Sequence, residues 1–120
     1  MDGVLVIDKP CGPTSHDVVS LVKRITHAKK VGHLGTLDPM ATGVLPLVLN
    51  GATKLASELS GSEKVYEFIL KLGSKTDTDD DAGKIIANAP VPSDYFEKLT
   101  EILPKFTGQI LQRPPEYKVY

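Results

Sequence analysis

The strongest constraint on this chain of 120 residues is a stretch of small and turn-forming residues at positions 32–45, GHLGTLDPMATGVL. It holds three glycines and one proline within twelve positions, and both residue types interrupt regular helices and strands. Pro39 restricts Asp38 to extended conformations. The apolar run VLPLVL at 44–49 follows directly and is typical of a buried strand. The sequence therefore predicts a shaped loop that holds one acid, Asp38, beside a buried strand, a suitable place for chemistry.

An isolated Asp-Pro pair usually starts an ordinary turn, so the pair alone assigns no catalytic role to Asp38. The whole string at 32–45 is more specific, because it closely resembles the catalytic motif of the TruB family of tRNA pseudouridine-55 synthases. The resemblance implies that Asp38 is the essential carboxylate in the isomerisation of uridine to pseudouridine, as a nucleophile or as a base. It also implies that His33 lies beside the target nucleotide. Without the resemblance, a lone histidine is more often structural.

Length and composition limit the number of domains, the cellular location and the class of binding partner. The length indicates one domain, residues 1–120, and 41% hydrophobic with 24% charged residues indicates a globular protein. The single cysteine, Cys11, leaves no internal disulfide and favours a reducing, cytoplasmic location. The sequence contains neither a signal-peptide core nor an apolar run of about 20 residues, so we expect no membrane association. The net charge of −1 argues mildly against a general nucleic-acid binder, so the local distribution of charge matters more.

Residues 23–33 form a basic segment that contains no acid. Its four cations and two histidines are Lys23, Arg24, His27, Lys29, Lys30 and His33. A solvated helix end explains such a segment equally well. Its position just before Asp38 favours contact with the phosphate backbone of an RNA, and we assign this contact to Lys29 and Lys30.

The N-terminal half is expected to contain a strand and two helices. Residues 4–7 form a β-branched run typical of a strand buried on both faces. Thr14 and Asp17 have the spacing of a capping box ahead of an amphipathic helix. The apolar positions of this helix are Val18, Val22 and Ile25. Asn50 is a candidate cap for a second helix at 52–59. Residues 8–19 also resemble the first conserved motif of the TruB family, which implies that they support the catalytic loop.

The clearest predicted strand covers residues 65–72, where a fully apolar face alternates with a mixed one. On this pattern Tyr66 is first of all a core aromatic residue. Lys64-Val65-Tyr66 resembles the second conserved site of the family, and the resemblance implies that Tyr66 stacks on the target base. Stacking is physically reasonable, because a base removed from its helix needs another π-face.

An acidic loop is predicted at 73–83, with four aspartates: Asp77, Asp79, Asp80 and Asp81. A calcium-binding EF-hand loop needs glycine at its sixth position and glutamate at its twelfth, where this chain has Ala82 and Asn88. Calcium binding is therefore disfavoured. The loop resembles a third family motif, which implies that Asp80 is an active-site neighbour that shapes electrostatics or pairs with an arginine.

The C-terminal part is expected to contain a strand at 84–87, a helix that Ser93 caps and Pro104 ends, and a strand at 106–112. Strands beyond residue 65 are not regularly separated by helices, which disfavours a doubly wound parallel sheet. The predicted fold class is therefore α/β in composition (α+β), a mixed, largely antiparallel sheet with packed helices, similar to pseudouridine synthases.

The resemblance extends to Tyr117 but corresponds to only the N-terminal portion of a typical family member. It implies that the C-terminal half of the catalytic domain, which supplies an arginine to the aspartate, and any accessory RNA-binding domain are absent. It implies as substrate a uridine in the T-arm stem-loop of tRNA, as cofactor none, and a monomer when complete. Two alternatives stay open: a dyskerin-type synthase directed by a guide RNA, and a non-catalytic RNA-binding or tRNA-folding fragment.

Overall fold

The computed structural model describes residues 1–61 and 63–115. The chain divides into two compact units, Met1–Tyr66 and Glu67–Val119. Within the described residues, every helix is too short or too polar to cross a membrane.

The first unit is built on a three-stranded antiparallel sheet in the order β1-β3-β2. Its strands are β1 (Gly3–Lys9), β2 (Val31–His33) and β3 (Gly43–Leu49). The predicted strand at 44–49 is confirmed as β3, the central strand. It is central because its apolar run can be buried while both of its edges are paired. The core is centred on Leu45, Leu47 and Leu49 of this strand, all of which are buried.

Helix α1 (Ser15–Thr26) packs on this core through its buried valines, Val18, Val19 and Val22. The predicted capping box is confirmed: the hydroxyl of Thr14 accepts the N–H of Asp17, and the Asp17 carboxylate accepts the N–H of Thr14, each at 2.9 Å. These bonds, first to the backbone and then to the side chain of Thr14, hold the pKa of the Asp17 carboxyl below its ordinary value. Ile25 was expected in the core but is exposed. The helix ends at the left-handed His27, and Ala28 fills the core at this end instead.

Two expectations for the sheet are wrong. Strand β1 is not buried on both faces, because Val4, Leu5 and Val6 are all exposed and only Ile7 of the predicted run packs against the core. The stretch 32–45 was expected to exclude regular strands, yet Gly32 and His33 belong to β2. They pair with Val48 and Leu47, so hydrogen bonding to the edge of β3 overrides the weak strand propensity of glycine.

The single helix predicted at 52–59 is instead a 3₁₀ turn, Asn50–Leu55, followed by a short helix α2 (Ala56–Leu59). Asn50 is not its cap. Its backbone is left-handed (φ 50°), and its side-chain oxygen accepts the N–H groups of Lys29 and Lys30 at 2.9 and 3.2 Å. The amide group is therefore used between distant parts of the chain and not along its own helix.

The second unit contains a hairpin of two antiparallel strands and a helix. Its elements are β4 (Ser74–Thr76), β5 (Ile85–Asn88), α3 (Tyr95–Ile102) and a 3₁₀ turn, Leu103–Phe106. The predicted strand at 84–87 and the predicted helix are confirmed. Ser93 is not the cap, since the helix starts after Asp94, which forms no side-chain capping bond and pairs instead with Lys98 at 3.6 Å. Strand β4 lies inside the segment 73–83 that was predicted to be a loop. The sequence contains no local signal for its pairing with β5.

The predicted strands at 65–72 and 106–112 are both wrong. Residues 63–72 have no regular secondary structure, and Ile69 there is 98% exposed. Alternation of apolar residues identifies the faces of a strand, but a strand also needs a hydrogen-bonded neighbour, and none of the described residues pairs with this segment. In the segment 106–112, Phe106 belongs to the 3₁₀ turn and Gly108 adopts a positive φ of 81°, which interrupts an extended strand. Tyr117 lies outside the described residues.

Candidate active site

The loop that carries Asp38 joins β2 to β3, so the sheet fixes both of its ends. The N–H of Leu34 donates to the carbonyl of Pro46 at 2.9 Å, which joins the start of the loop to β3. The N–H of Ala41 donates to the carbonyl of Asp38 at 2.9 Å and closes a turn at the Asp-Pro pair. Asp38 itself is exposed. The predicted shaped loop is therefore confirmed, with its acid open to solvent.

Lys9 at the end of β1 holds the backbone that follows Asp38. The side chain is 0% exposed. Its ammonium donates to the carbonyls of Pro10 (2.9 Å), Pro39 (3.1 Å) and Ala41 (2.7 Å). The N–H of Gly12 also donates to the Pro39 carbonyl at 2.7 Å. A buried charge is stable only with such partners, so Lys9 is a structural cation. The predicted supporting role of residues 8–19 is confirmed for this side chain.

Lys9 was not among the predicted site residues. One signal for it existed in the sequence: a lysine at the end of a largely apolar strand and directly before a proline. That signal indicates an unusual burial but not the partner, since Pro39 and Ala41 are 30 and 32 positions away.

A cavity of about 570 Å³ lies within the first unit beside this loop. Residues 34–37 and 42–46 line it, so the stretches on both sides of Asp38 form its wall. Tyr66 and Lys64 also line it. Its volume is within the range of small-ligand pockets. The structure therefore brings Tyr66, one of the predicted site residues, to the cavity that the Asp38 loop forms.

Lys64 is a second residue absent from the predicted site. Gly35 has a positive φ of 91°, and a Cβ atom there would come within 2.7 Å of the Lys64 ammonium nitrogen. Glycine at this position thus permits Lys64 to lie against the loop backbone. The two-residue spacing of Lys64 and Tyr66 is the signal that would have found it, because alternate residues of an extended chain share a side.

His33 lies exposed at the end of β2. Its Nδ1 is 2.6 Å from the carbonyl oxygen of Gly35. Because a carbonyl oxygen only accepts, this contact assigns a proton to Nδ1, and in the tautomer that carries its single proton there Nε2 is an acceptor. His33 can therefore accept a hydrogen bond from a ligand while it fixes the start of the loop.

Lys29 and Lys30 are exposed on the turn between α1 and β2. The side chain of Asn50 accepts both of their backbone N–H groups, and the N–H of Asn50 donates to the Lys30 carbonyl at 2.8 Å. The Asn50 amide also donates to the carbonyl of Met1 at 2.7 Å. The backbone of this basic turn is thus fixed while its two ammonium groups lie in solvent.

Asp80 lies in the second unit, in the loop between β4 and β5. One of its carboxylate oxygens accepts the hydroxyl of Thr78 at 2.6 Å and the N–H of Ala82 at 2.9 Å. Asp77 similarly accepts the N–H of Lys84 at 2.9 Å. These bonds stabilise the acidic loop itself. In the part of the chain that the structure describes, no group of three His, Cys, Asp or Glu side chains is placed to hold a metal. The active-site role of Asp80 stays a prediction.

A family model described as TruB family pseudouridylate synthase (N terminal domain) matches residues 23–118. The tRNA pseudouridine synthase B of Solibacter usitatus is 54% identical over 115 residues, which are 96% of this chain and 39% of the relative. The protein of the same name from Caldanaerobacter subterraneus subsp. tengcongensis is 51% identical over 117 residues, 98% of this chain and 41% of the relative. The chain spans about two fifths of the length of these relatives.

Two solved structures are similar over 98% of the chain. The match to a chain of a Cbf5-Nop10-Gar1 complex has a TM-score of 0.61 and 35% sequence identity, and it covers 30% of that chain. The match to a chain of an H/ACA RNP bound to a substrate RNA containing 2′-deoxyuridine has a TM-score of 0.59 and 34% sequence identity, and it covers 32% of that chain. Together with the antiparallel strands and packed helices seen here, these similarities confirm the predicted α+β fold.

Proposed function

The chain belongs to the TruB family of pseudouridylate synthases, and on this premise we propose that it forms pseudouridine in tRNA. Relatives about half identical to it carry the name tRNA pseudouridine synthase B, which supports tRNA as the substrate. We propose the uridine at position 55, in the T-arm loop, as the target. We also propose that the protein acts in the cytoplasm as a monomer; the free thiol of Cys11 is in keeping with a reducing compartment.

The observation that supports a catalytic role for Asp38 is its position between the two stretches that line the cavity, 34–37 and 42–46. Asp38 is not itself a lining residue, and we propose that its exposed carboxylate reaches a uridine held in the cavity. In the reaction the bond between C1′ and N1 breaks, the base turns, and C5 bonds to C1′ while the C5 proton leaves and N1 gains a proton. Asp38 serves as the nucleophile on the sugar or base, or as the base that removes a sugar proton.

Most of the other site residues bind the RNA. Tyr66 offers a π-face on the cavity wall for a uracil taken out of its stack. His33 offers Nε2 as a hydrogen-bond acceptor beside the loop. Lys29 and Lys30 contact backbone phosphates from the fixed basic turn. Asp80, in the second unit, is not assigned an RNA contact; we propose that it shapes electrostatics or pairs with an arginine.

The test is tritium release from tRNA labelled at uridine C5, with this chain and two matched variants. Asp38→Asn removes the carboxylate charge with little change of shape. Glu101→Gln makes the same change at an exposed acid of α3, in the second unit. We expect release by the wild type and by Glu101→Gln, and loss of release in Asp38→Asn. Release at the wild-type rate by Asp38→Asn would overturn the assignment.

The same assay separates the two alternatives. The similarity to H/ACA complexes supports a guide-directed synthase as the second candidate; it predicts release only when a guide RNA and partner proteins are added. The non-catalytic candidate rests on the two-fifths coverage of the relatives. It predicts tRNA binding that Asp38→Asn leaves unchanged, with no tritium released by any variant.

A further inference from the structure

The position of the Asp38 carboxylate depends on its backbone. Among the described residues, no side chain or backbone group forms a hydrogen bond or an ion pair with this carboxylate. Its location therefore follows from the two peptide groups that flank Asp38 and from its own side-chain rotamer. Whatever holds these peptide groups determines where the carboxylate lies when a substrate arrives.

Ser15 holds the peptide group on the N-terminal side. Its hydroxyl donates to the carbonyl of Leu37 at 3.1 Å and accepts the N–H of the same residue at 3.0 Å. The carbonyl of Leu37 and the nitrogen of Asp38 belong to one planar peptide group, so fixing this carbonyl also fixes the nitrogen of Asp38. One side chain thus restrains both peptide groups of Leu37 across 22 positions of sequence.

Ser15 is well placed to act as a rigid support. It is 3% exposed and is the first residue of α1, directly after the Thr14 cap. The capping box fixes this end of the helix, and the valines of α1 anchor it to the core. The hydroxyl uses both its donor and its acceptor capacity on Leu37, so water cannot readily replace it at this buried position.

We propose that Ser15 is a positioning residue for catalysis: its paired hydrogen bonds to Leu37 hold the Asp38 carboxylate where it reacts with the substrate. Ser15 does not touch the substrate. It acts through the Leu37–Asp38 peptide group, on the N-terminal side of Asp38. Lys9 restrains the backbone on the C-terminal side, at the carbonyls of Pro39 and Ala41. This inference rests on the proposed function for its effect on rate, but its structural part stands independently.

The test compares Ser15→Ala with two controls on the same helix. Ser20→Ala makes the same change at an exposed serine of α1 with no side-chain hydrogen bond among the described residues. Val22→Ala removes buried methyl groups from the core, against which Leu37 packs, and so lowers stability while it leaves both Ser15 hydrogen bonds to Leu37 in place. The amide hydrogen exchange of Leu37 is measured by NMR, and kcat and KM are measured by tritium release.

We expect Ser15→Ala to accelerate exchange at Leu37 about tenfold, as the loss of one structural hydrogen bond predicts. We expect kcat to fall about 100-fold with KM nearly unchanged, since a small misplacement of a reacting group has an effect of this size. Both controls should keep the wild-type kcat, which separates positioning from loss of stability.

Unchanged exchange at Leu37 in Ser15→Ala would overturn the inference, and so would unchanged kcat together with faster exchange. An equal fall of kcat in Val22→Ala would also overturn it, because stability alone would then explain the effect. A wild-type chain that releases no tritium would contradict the proposed function; in that case the exchange result alone decides whether Ser15 orders the loop.

Discussion

Replacement of the buried Lys9 by methionine tests how the loop after Asp38 is held. The methionine side chain has a similar length, so it fills the space without leaving a large cavity. It removes the ammonium group and its three hydrogen bonds to the carbonyls of Pro10, Pro39 and Ala41. The change therefore isolates the polar part of the interaction.

The expected loss of stability can be worked from these contacts. Burial of an ammonium costs several kcal/mol, and three charge-assisted hydrogen bonds of about 1.5–3 kcal/mol each offset this; both contributions vanish in the variant. Three carbonyls then lack the lysine donor. Pro39 keeps the N–H of Gly12, and water reaches the exposed Pro10. Ala41 is partly buried, and its unpaired carbonyl costs about 1–3 kcal/mol. We expect the free energy of unfolding of the first unit to fall by about 2 kcal/mol.

Hydrogen exchange of the β3 amides at increasing urea concentrations measures this free energy for the first unit specifically. A loss of about 2 kcal/mol moves the unfolding midpoint by about 1 M urea. Lys23→Met, at an exposed site on α1, is the matched control and should stay within about 0.5 kcal/mol of wild type. Lys9→Arg should not restore stability, since the larger planar group does not fit the enclosed site. The reasoning is refuted if Lys9→Met is as stable as Lys23→Met.

Three further changes test other contacts. Hydrogen bonds hold the pKa of the Asp17 carboxyl below its ordinary 3.8, so its stabilising effect is present above that pH and is lost as the pH falls through the lower folded-state value. Asp17→Asn should therefore melt at a lower temperature than wild type at neutral pH. An equal difference in melting temperature in strong acid would contradict this. Gly35→Ala should lower the free energy of unfolding measured in urea by about 1–3 kcal/mol, because a φ of 91° is strained for any residue with a Cβ. Gly32→Ala should not, because the added Cβ makes only an ordinary contact with Val48. Asn50→Gly keeps the left-handed backbone but loses the acceptor, so NMR should show about tenfold faster exchange of the two amides in the basic turn; Asn50→Asp retains that oxygen, and equal exchange in both variants would be contrary evidence.

Elements with local signals were predictable from the sequence. Helix α1 combines a capping box at Thr14 and Asp17 with valines at helical spacing, and each of these depends on residues no more than a few positions apart. Strand β3 is a continuous apolar run, so its burial follows from composition alone. The fold class was predicted from strands beyond residue 65 and from the family resemblance; the fold class is confirmed, although two of those strands are absent.

Elements that depend on pairing were not predictable. Strand β2 contains a glycine and has only three residues, yet it forms because β3 offers it a hydrogen-bonding edge. Residues 65–72 have a far stronger strand pattern, but no described segment pairs with them, and they stay irregular. Propensity indicates what a segment can do, whereas the neighbour that it finds decides what it does.

The residues of the candidate site also differ in whether a local or a long-range signal identifies them. Asp38, His33 and Tyr66 were predicted as site residues because short motifs carry them, and their roles stay predictions. Lys9 and Ser15 were not predicted, because they act on the loop across 22 to 32 positions. Glycine and proline shape this loop without ordering it, since glycine widens the conformations available to the chain. Its order comes from two neighbouring elements. Lys9 at the end of β1 holds the carbonyls of Pro39 and Ala41, after Asp38, and Ser15 at the start of α1 holds Leu37, before it. Substitutions at Lys9 and Ser15 should therefore disturb the position of the acid as strongly as substitutions within the loop itself.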